Sequence, residues 1–246
     1  MNPHVEVSGT GDIPVVCVHG WACHGGHFAE VAERLGSRFR VYRPDLPGHG
    51  QTPLGNFEPT FPGYTAVLAD FLKSLAPARP MVVGHSMGGV LSLMAAAQVD
   101  VRAVINLDGS LPARESTLAA QATVASWLDE PDYLERLRVA LAEGFFLPTE
   151  RGPRCNEIID GMCRAPREVL RFLPEQIHTI DPSAFLPRVQ APMLYVGAAR
   201  PRYDEAGALA LNAAIRFTQI AGAGHFLPIF AAEKVADLVE RVAAAT

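Results

Sequence analysis

Met81-Val82-Val83-Gly84-His85-Ser86-Met87-Gly88-Gly89 is the stretch whose reading decides the fold. A short apolar strand runs into a serine flanked by glycines, and a helix of small and apolar residues begins at once. A sharp strand-to-helix turn of this kind lifts a serine out of the end of a sheet, where its hydroxyl can act as a nucleophile. Gly84 and Gly88, two before and two after, remove side chains that would collide across the turn. Gly89 lets the helix pack close to the sheet. The start of the helix presents unpaired amides to a developing negative charge.

Outward from this turn, strands and helices alternate. Pro14-Val15-Val16-Cys17-Val18 is an unbroken apolar run, the pattern of a strand covered on both faces. Phe39-Arg40-Val41-Tyr42 predicts the next strand. Tyr64, Val67, Leu68, Phe71, Leu72 and Leu75 form one helical stripe. A helix is predicted from Met87 to about Gln98 and a strand from Val101 to Leu107, closed by Asp108-Gly109. This alternation predicts an α/β fold, a mostly parallel central sheet with helices on both faces. The rhythm then changes. Residues 113–180 carry short helix candidates (Leu118–Leu128, Tyr133–Phe146, Asn156–Met162, Arg167–Phe172) punctuated by Pro131, Pro148, Pro153, Pro166 and Pro174. They read as a small helical lid set into a core of residues 1–112 and 181–246. Sheet signals resume at Met193–Gly197 and Ile215–Ile220, and Pro228–Ala243 reads as the last helix.

The 246 residues fit one domain with a large core; 49% are hydrophobic and 19% charged. A net charge of −5 without a basic stripe argues against nucleic acid as a partner. No apolar run reaches the length of a bilayer span, and no secretory leader precedes the first strand, so a soluble cytoplasmic protein is expected. Cys17, Cys23, Cys155 and Cys163 show no zinc spacing. His24 and His27 lack a third ligand nearby in sequence, and no metal or cofactor is expected; pocket lining or capping of the next helix suits them better.

A serine nucleophile needs a base. Among eight histidines, His225 is the best placed, in the glycine-rich loop Ala221-Gly222-Ala223-Gly224-His225-Phe226 after a strand candidate. Its imidazole can take the serine proton and return it to a leaving group. His19-Gly20-Trp21 closes the first long strand, and the Trp21 and Met87 amides are the candidate oxyanion hole. Trp21 also suits an aromatic packed under the lid.

The three separated pieces His19-Gly20, Gly84-His85-Ser86-Met87-Gly88-Gly89 and Gly224-His225-Phe226 resemble the α/β-hydrolase superfamily across nearly the whole chain. Tyr42-Arg43-Pro44-Asp45-Leu46-Pro47-Gly48-His49-Gly50 resembles a further loop of the family that is mostly architectural, so Asp45 and His49 are given no catalytic role. The resemblance implies Ser86 as nucleophile, His225 as general base, Trp21 and Met87 as amide donors, and residues 113–180 as a cap shaping the substrate pocket. The family's usual acid follows the strand that here ends at Gly197, as Gly-x-x-Asp, but this chain reads Gly197-Ala198-Ala199-Arg200. Some relatives place the acid after the strand that follows the nucleophile helix, a position filled here by Asp108. Asp108 directly ends an apolar strand and is favoured; Asp204 and then Glu205 are the alternatives, and a turn cap at Asp108 or a helix cap at Asp204 would explain either without chemistry.

The resemblance therefore implies a cofactor-independent serine hydrolase acting on a carboxylic ester, a lactone or a carbon–carbon bond of a small substrate, as a monomer or homodimer. If Trp127, Phe145, Phe146, Leu147 and Met162 partly line the pocket, that substrate is partly apolar. Two other readings use the same fold: cofactor-free cleavage of a heteroaromatic ring with dioxygen, and a small-molecule binding protein with an inactive site.

Overall fold

A computed structural model describes residues 3–246; Met1 and Asn2, where the reading of the N-terminus begins, lie outside them. Seven strands form one sheet in the order β1-β3-β2-β4-β5-β6-β7. They are β1 (Val5–Ser8), β2 (Ile13–Val18), β3 (Phe39–Pro44), β4 (Met81–His85), β5 (Ala103–Leu107), β6 (Met193–Gly197) and β7 (Arg216–Gln219). Only β1 runs antiparallel, against β3; the other neighbours are parallel. The expected α/β architecture is therefore present.

The apolar runs are buried on both sides because alternate side chains enter different cores. Val16 and Val18 of β2, Val82 of β4 and Val104 of β5 join one core. Val15, Cys17, Met81, Val83 and Ile105 join the other. Helices α1 (Ala29–Leu35) and α10 (Ala232–Ala245) cover the second face. Helices α2 (Phe61–Ser74) and α3 (Met87–Ala96) cover the first; Tyr64, Leu68 and Leu72 give α2 its inward stripe. Thr60 caps α2, its Oγ1 accepting from the Gly63 amide at 3.0 Å.

Between β5 and β6 lie α4 (Glu115–Ala125), α5 (Tyr133–Phe145), α6 (Pro153–Cys163) and α7 (Arg167–Gln176). Three details differ from the expectations. First, α4 begins at Glu115 rather than Leu118, because its buried side chains are the polar Thr117 and Gln121 and an apolar period does not mark it. Second, Pro174 lies inside α7 instead of ending it; so near the helix end its missing N–H removes one bond only. Third, the terminal helix is broken. The short α9 (Leu227–Phe230) stops at Ala231, whose φ of −140° is not helical, and α10 restarts at Ala232. α8 (Glu205–Leu211) lies between β6 and β7. All four cysteines are free and buried. Among the described residues no helix is long and apolar enough to cross a membrane.

Candidate active site

In an open α/β sheet ligands bind beyond the carboxyl ends of the strands. Trp21 follows β2, Ser86 follows β4, Asp108 follows β5, and His225 lies in the loop beyond β7. Trp21, Ser86, Met87 and His225 line one cleft, and Phe145, Met162, Leu173 and Ile177 of the inserted segment line it too.

The turn at Ser86 is tight. Ser86 has φ 54° and ψ −119°, and its amide is pinned to the Leu107 carbonyl of β5 at 2.9 Å. A Cβ on Gly84 would run into the Gly88 carbonyl, and one on Gly88 into that of Val18, so the elbow tolerates neither. Among the described residues three non-glycines have positive φ: Ala22, Ser86 and Asp108. Each ends a strand or follows a strand end beside the cleft. Strained backbone of this kind persists where the surrounding fold enforces it, and it gathers at functional sites.

Asp108 is fully buried, with its amide on the Val196 carbonyl of β6 at 2.8 Å. Its Oδ2 lies 2.7 Å from His225 Nδ1, and its Oδ1 accepts the Ala198 amide at 3.2 Å. The loop after β6, whose third residue is Arg200 rather than an acid, thus holds the acid supplied by β5. With Nδ1–H donating to this carboxylate, Nε2 of His225 keeps its lone pair. Asp204 does not share this arrangement. It is exposed at the N-cap of α8, and Glu205 is the exposed first residue of that helix.

His225 is held from several sides. His85 Nε2 donates to its carbonyl at 2.9 Å, and the two rings sit 4.8 Å apart. Burial above all pushes His85 down to about 3, so His85 stays neutral and keeps that donor. On the other side lies the Phe145 ring, 4.5 Å away. The inserted segment also fastens the histidine loop through the backbone. The His225 amide donates to the Phe145 carbonyl at 2.7 Å. Glu150 accepts the Gly224 amide at Oε1 and the Leu147 amide at Oε2, both at 2.8 Å.

Arg202 lies above Phe145, its guanidinium 4.5 Å from the ring centre. Its Nη2 donates to the Gly144 carbonyl at 2.6 Å, and its Nε sits 3.7 Å from Asp108 Oδ2. Burial pushes the Asp108 carboxyl up to about 6, and the Arg202 cation pulls against that rise. Burial first and Arg202 second hold the His225 imidazole well below its usual range. The pair is therefore a carboxylate and a neutral imidazole near pH 7.

The indole of Trp21 donates to the Val169 carbonyl of α7 at 2.7 Å, so this side chain ties β2's end to the inserted helices. Met87 is the first residue of α3, where an amide has no intrahelical acceptor. A Cβ on Gly20 would meet the Ser86 Cβ at 3.3 Å, which places the His19-Gly20-Trp21 turn against the serine. Of the lid residues expected at the pocket, Phe145 and Met162 line the cleft, while Phe146 stacks on Phe226 at 5.0 Å. His24 and His27 line a separate surface groove with Glu30 and Arg154, not the serine cleft. Asp45 accepts the Gly25 and Gln51 amides, an architectural task.

The model of the alpha/beta hydrolase family matches residues 15–238. The chain belongs to that family. The expected superfamily membership and fold are thereby borne out. The chain is 45% identical over 93 residues to a pimeloyl-[acyl-carrier protein] methyl ester esterase of Chromobacterium violaceum, a stretch of 37% of this chain and 34% of that protein. It is 27% identical over 260 residues to the enzyme of the same name from Xanthomonas oryzae pv. oryzae, covering 98% of both. The chain thus spans only a third to a half of several curated relatives it matches, and nearly all of others. Among solved structures, a thermophilic esterase from Thermogutta terrifontis superposes with a TM-score of 0.78 at 22% identity, covering 97% of this chain and 91% of that one. The enol-lactonase from Burkholderia xenovorans LB400 gives 0.78 at 22%, covering 98% and 96%. At that identity these likenesses establish the fold.

Four residues of the candidate site have roles that the sequence alone does not reveal: His85, Phe145 as a ring on His225, Glu150 and Arg202. His85 sits inside the decisive motif, so its place was visible although its donor role was not. Glu150 and Arg202 carry no sequence signal, because each acts through a loop brought close only by the fold.

Proposed function

We propose that this α/β hydrolase cleaves a carboxylic ester through Ser86, His225 and Asp108. The observation that carries this reading is the Asp108–His225 pair at 2.7 Å, with His225 lining the same cleft as Ser86. The Ser86 Oγ attacks the ester carbonyl while its proton passes to His225 Nε2. The oxygen, now negative, accepts from the Trp21 and Met87 amides; one such donor is worth about 3 kcal/mol in the transition state. The C–O bond to the alcohol breaks, and His225 gives that oxygen the proton. Water, deprotonated by His225, then attacks the acyl-Ser86 ester and releases the acid with Ser86 restored. Asp108 fixes the imidazole tautomer and stabilises its charged form.

The relatives' names support a methyl ester as the substrate, with the inserted helices at 113–180 acting as the cap over it. The apolar wall of Met87, Val90, Met162 and Leu173 suits an alkyl acyl group, and a lactone or a cleavable carbon–carbon bond would meet the same machinery. We place the protein in the cytoplasm as a monomer or homodimer handling a small-molecule substrate without a cofactor. A fluorophosphonate probe tests the nucleophile: labelling at Ser86, blocked by prior incubation with a methyl ester, is expected. A protein left unlabelled would instead be the binding protein. Dioxygen uptake on a hydroxylated heteroaromatic ring, with no ester cleaved, would replace hydrolysis by the ring-cleaving alternative, which the position of Asp108 also suits.

The Arg202 cation opposes protonation of His225 and favours the Asp108 carboxylate. Arg202→Met removes both influences, so both groups protonate at higher pH. The active form, neutral imidazole with ionised carboxylate, is then lost earlier on acidification. The acid limb of the kcat/KM profile is expected to move to higher pH in Arg202→Met and to stay in place in Arg202→Lys. An unmoved limb in Arg202→Met would free Arg202 of this role.

A further inference from the structure

Helix α4 packs inward with the wrong chemistry for a structural helix. Its buried side chains are Thr117 and Gln121, 7% and 8% exposed, while none of its apolar side chains is fully buried. The two are four residues apart, so they share one face. That face looks into the serine cleft, where Ser110 joins it from the loop after β5. Thr117 Oγ1 donates to the Arg202 carbonyl at 3.2 Å, which fixes this hydroxyl in place. Gln121 Oε1 is buried and has no hydrogen-bond partner. A buried amide oxygen left without a donor is destabilising, an arrangement that persists when a ligand supplies the donor.

We infer that Gln121, with Ser110 and Thr117, forms a subsite for a secondary amide in the substrate, within the cleft that the alkyl-binding residues also line. This rests on the ester-hydrolase reading of the same cleft. The N–H of a secondary amide is the donor that Gln121 Oε1 lacks, and its carbonyl, which points the opposite way in a trans amide, is left to accept from the Ser110 hydroxyl. A carboxylate suits the subsite less well. It brings no donor for Gln121 Oε1, and the nearby cation, Arg202, already faces the Asp108 carboxylate. A plain alkyl chain leaves the same oxygen unpaired. The substrate is thus an ester whose apolar chain lies along Met87 and Val90 and whose amide reaches α4.

The probes are methyl esters carrying an N-methylcarboxamide at the far end of alkyl chains of graded length, beside isosteric branched-alkyl and carboxylate versions. At the best length, the wild-type enzyme is expected to favour the amide ester over its alkyl isostere by about tenfold in kcat/KM. In Gln121→Leu that ratio is expected to fall to near one. A wild-type ratio near one at every length, a preference for the carboxylate, or a preference that survives Gln121→Leu would each overturn the subsite. Calorimetric titration of Ser86→Ala, with Gln121 intact, tests binding without turnover: the amide ester is expected to bind about tenfold tighter than the alkyl one, and equal binding overturns the subsite. A wild type that cleaves none of these esters, beside an Ser86→Ala protein that keeps the binding preference, would sink the hydrolase reading and leave the subsite standing.

Discussion

Replacing Ser86 by alanine is expected to lower kcat on methyl esters by about a millionfold while the protein stays folded. In the proposed mechanism the hydroxyl forms the bond on which both half-reactions depend. The Trp21 and Met87 amides and the cleft itself survive the change, so a residual rate of about a thousandfold over water remains. KM should change little, because the lost bond forms after the substrate has docked. Alanine keeps the Cβ at φ 54°, so the substitution adds no backbone clash. Acid release measured by titration, with far-ultraviolet circular dichroism as the check on folding, decides the matter. A variant that retains a hundredth of wild-type activity would strip Ser86 of its role.

The second large effect concerns the acid. Asp108→Asn is expected to lower kcat by about ten-thousandfold, whereas Asp204→Asn should leave it within about twofold. The asparagine oxygen can still accept the Ala198 amide, which leaves its NH2 group facing His225 Nδ1. That donor stabilises the tautomer with the proton on Nε2, the nitrogen that receives the Ser86 proton in the proposed mechanism. The defect is therefore one of proton placement, and fold and binding should survive it. Comparable losses at Asp204 and Asp108 would show that the 2.7 Å pair is structural only.

The parts of this molecule that were legible in its sequence are those where regular periodicity meets a motif. The uninterrupted run at Val15–Val18 reads as a doubly covered strand because its alternate residues enter two cores. The Gly84–Gly89 run reads as an elbow because close backbone approach forbids side chains there. Asp108 reads as a better acid than Asp204 because a strand end holds a carboxylate more rigidly than a loop, and the fold pairs Asp108 with His225. Helix α4 shows why other parts stayed hidden. Its inward face is Thr117 and Gln121, so an apolar stripe could not mark where it begins. The break at Ala231 has no local cause in the sequence, and it arises where the short helix after His225 gives way to α10. Glu150 and Arg202 act on the histidine loop from segments far along the chain, and nothing in local pattern reports such meetings.

Ala22, Ser86 and Asp108 share an uncomfortable backbone geometry that glycine would adopt freely. Each such residue costs of order 1–3 kcal/mol. Ser86→Gly is accordingly expected to raise Tm by a few degrees as it silences the enzyme, the extra flexibility of the unfolded chain offsetting only part of the gain. Selecting this chain for heat resistance alone would therefore favour dead variants at positions 86 and 108. A programme to toughen it must screen turnover at every round, and should look for gains in the two cores rather than at the ends of the strands.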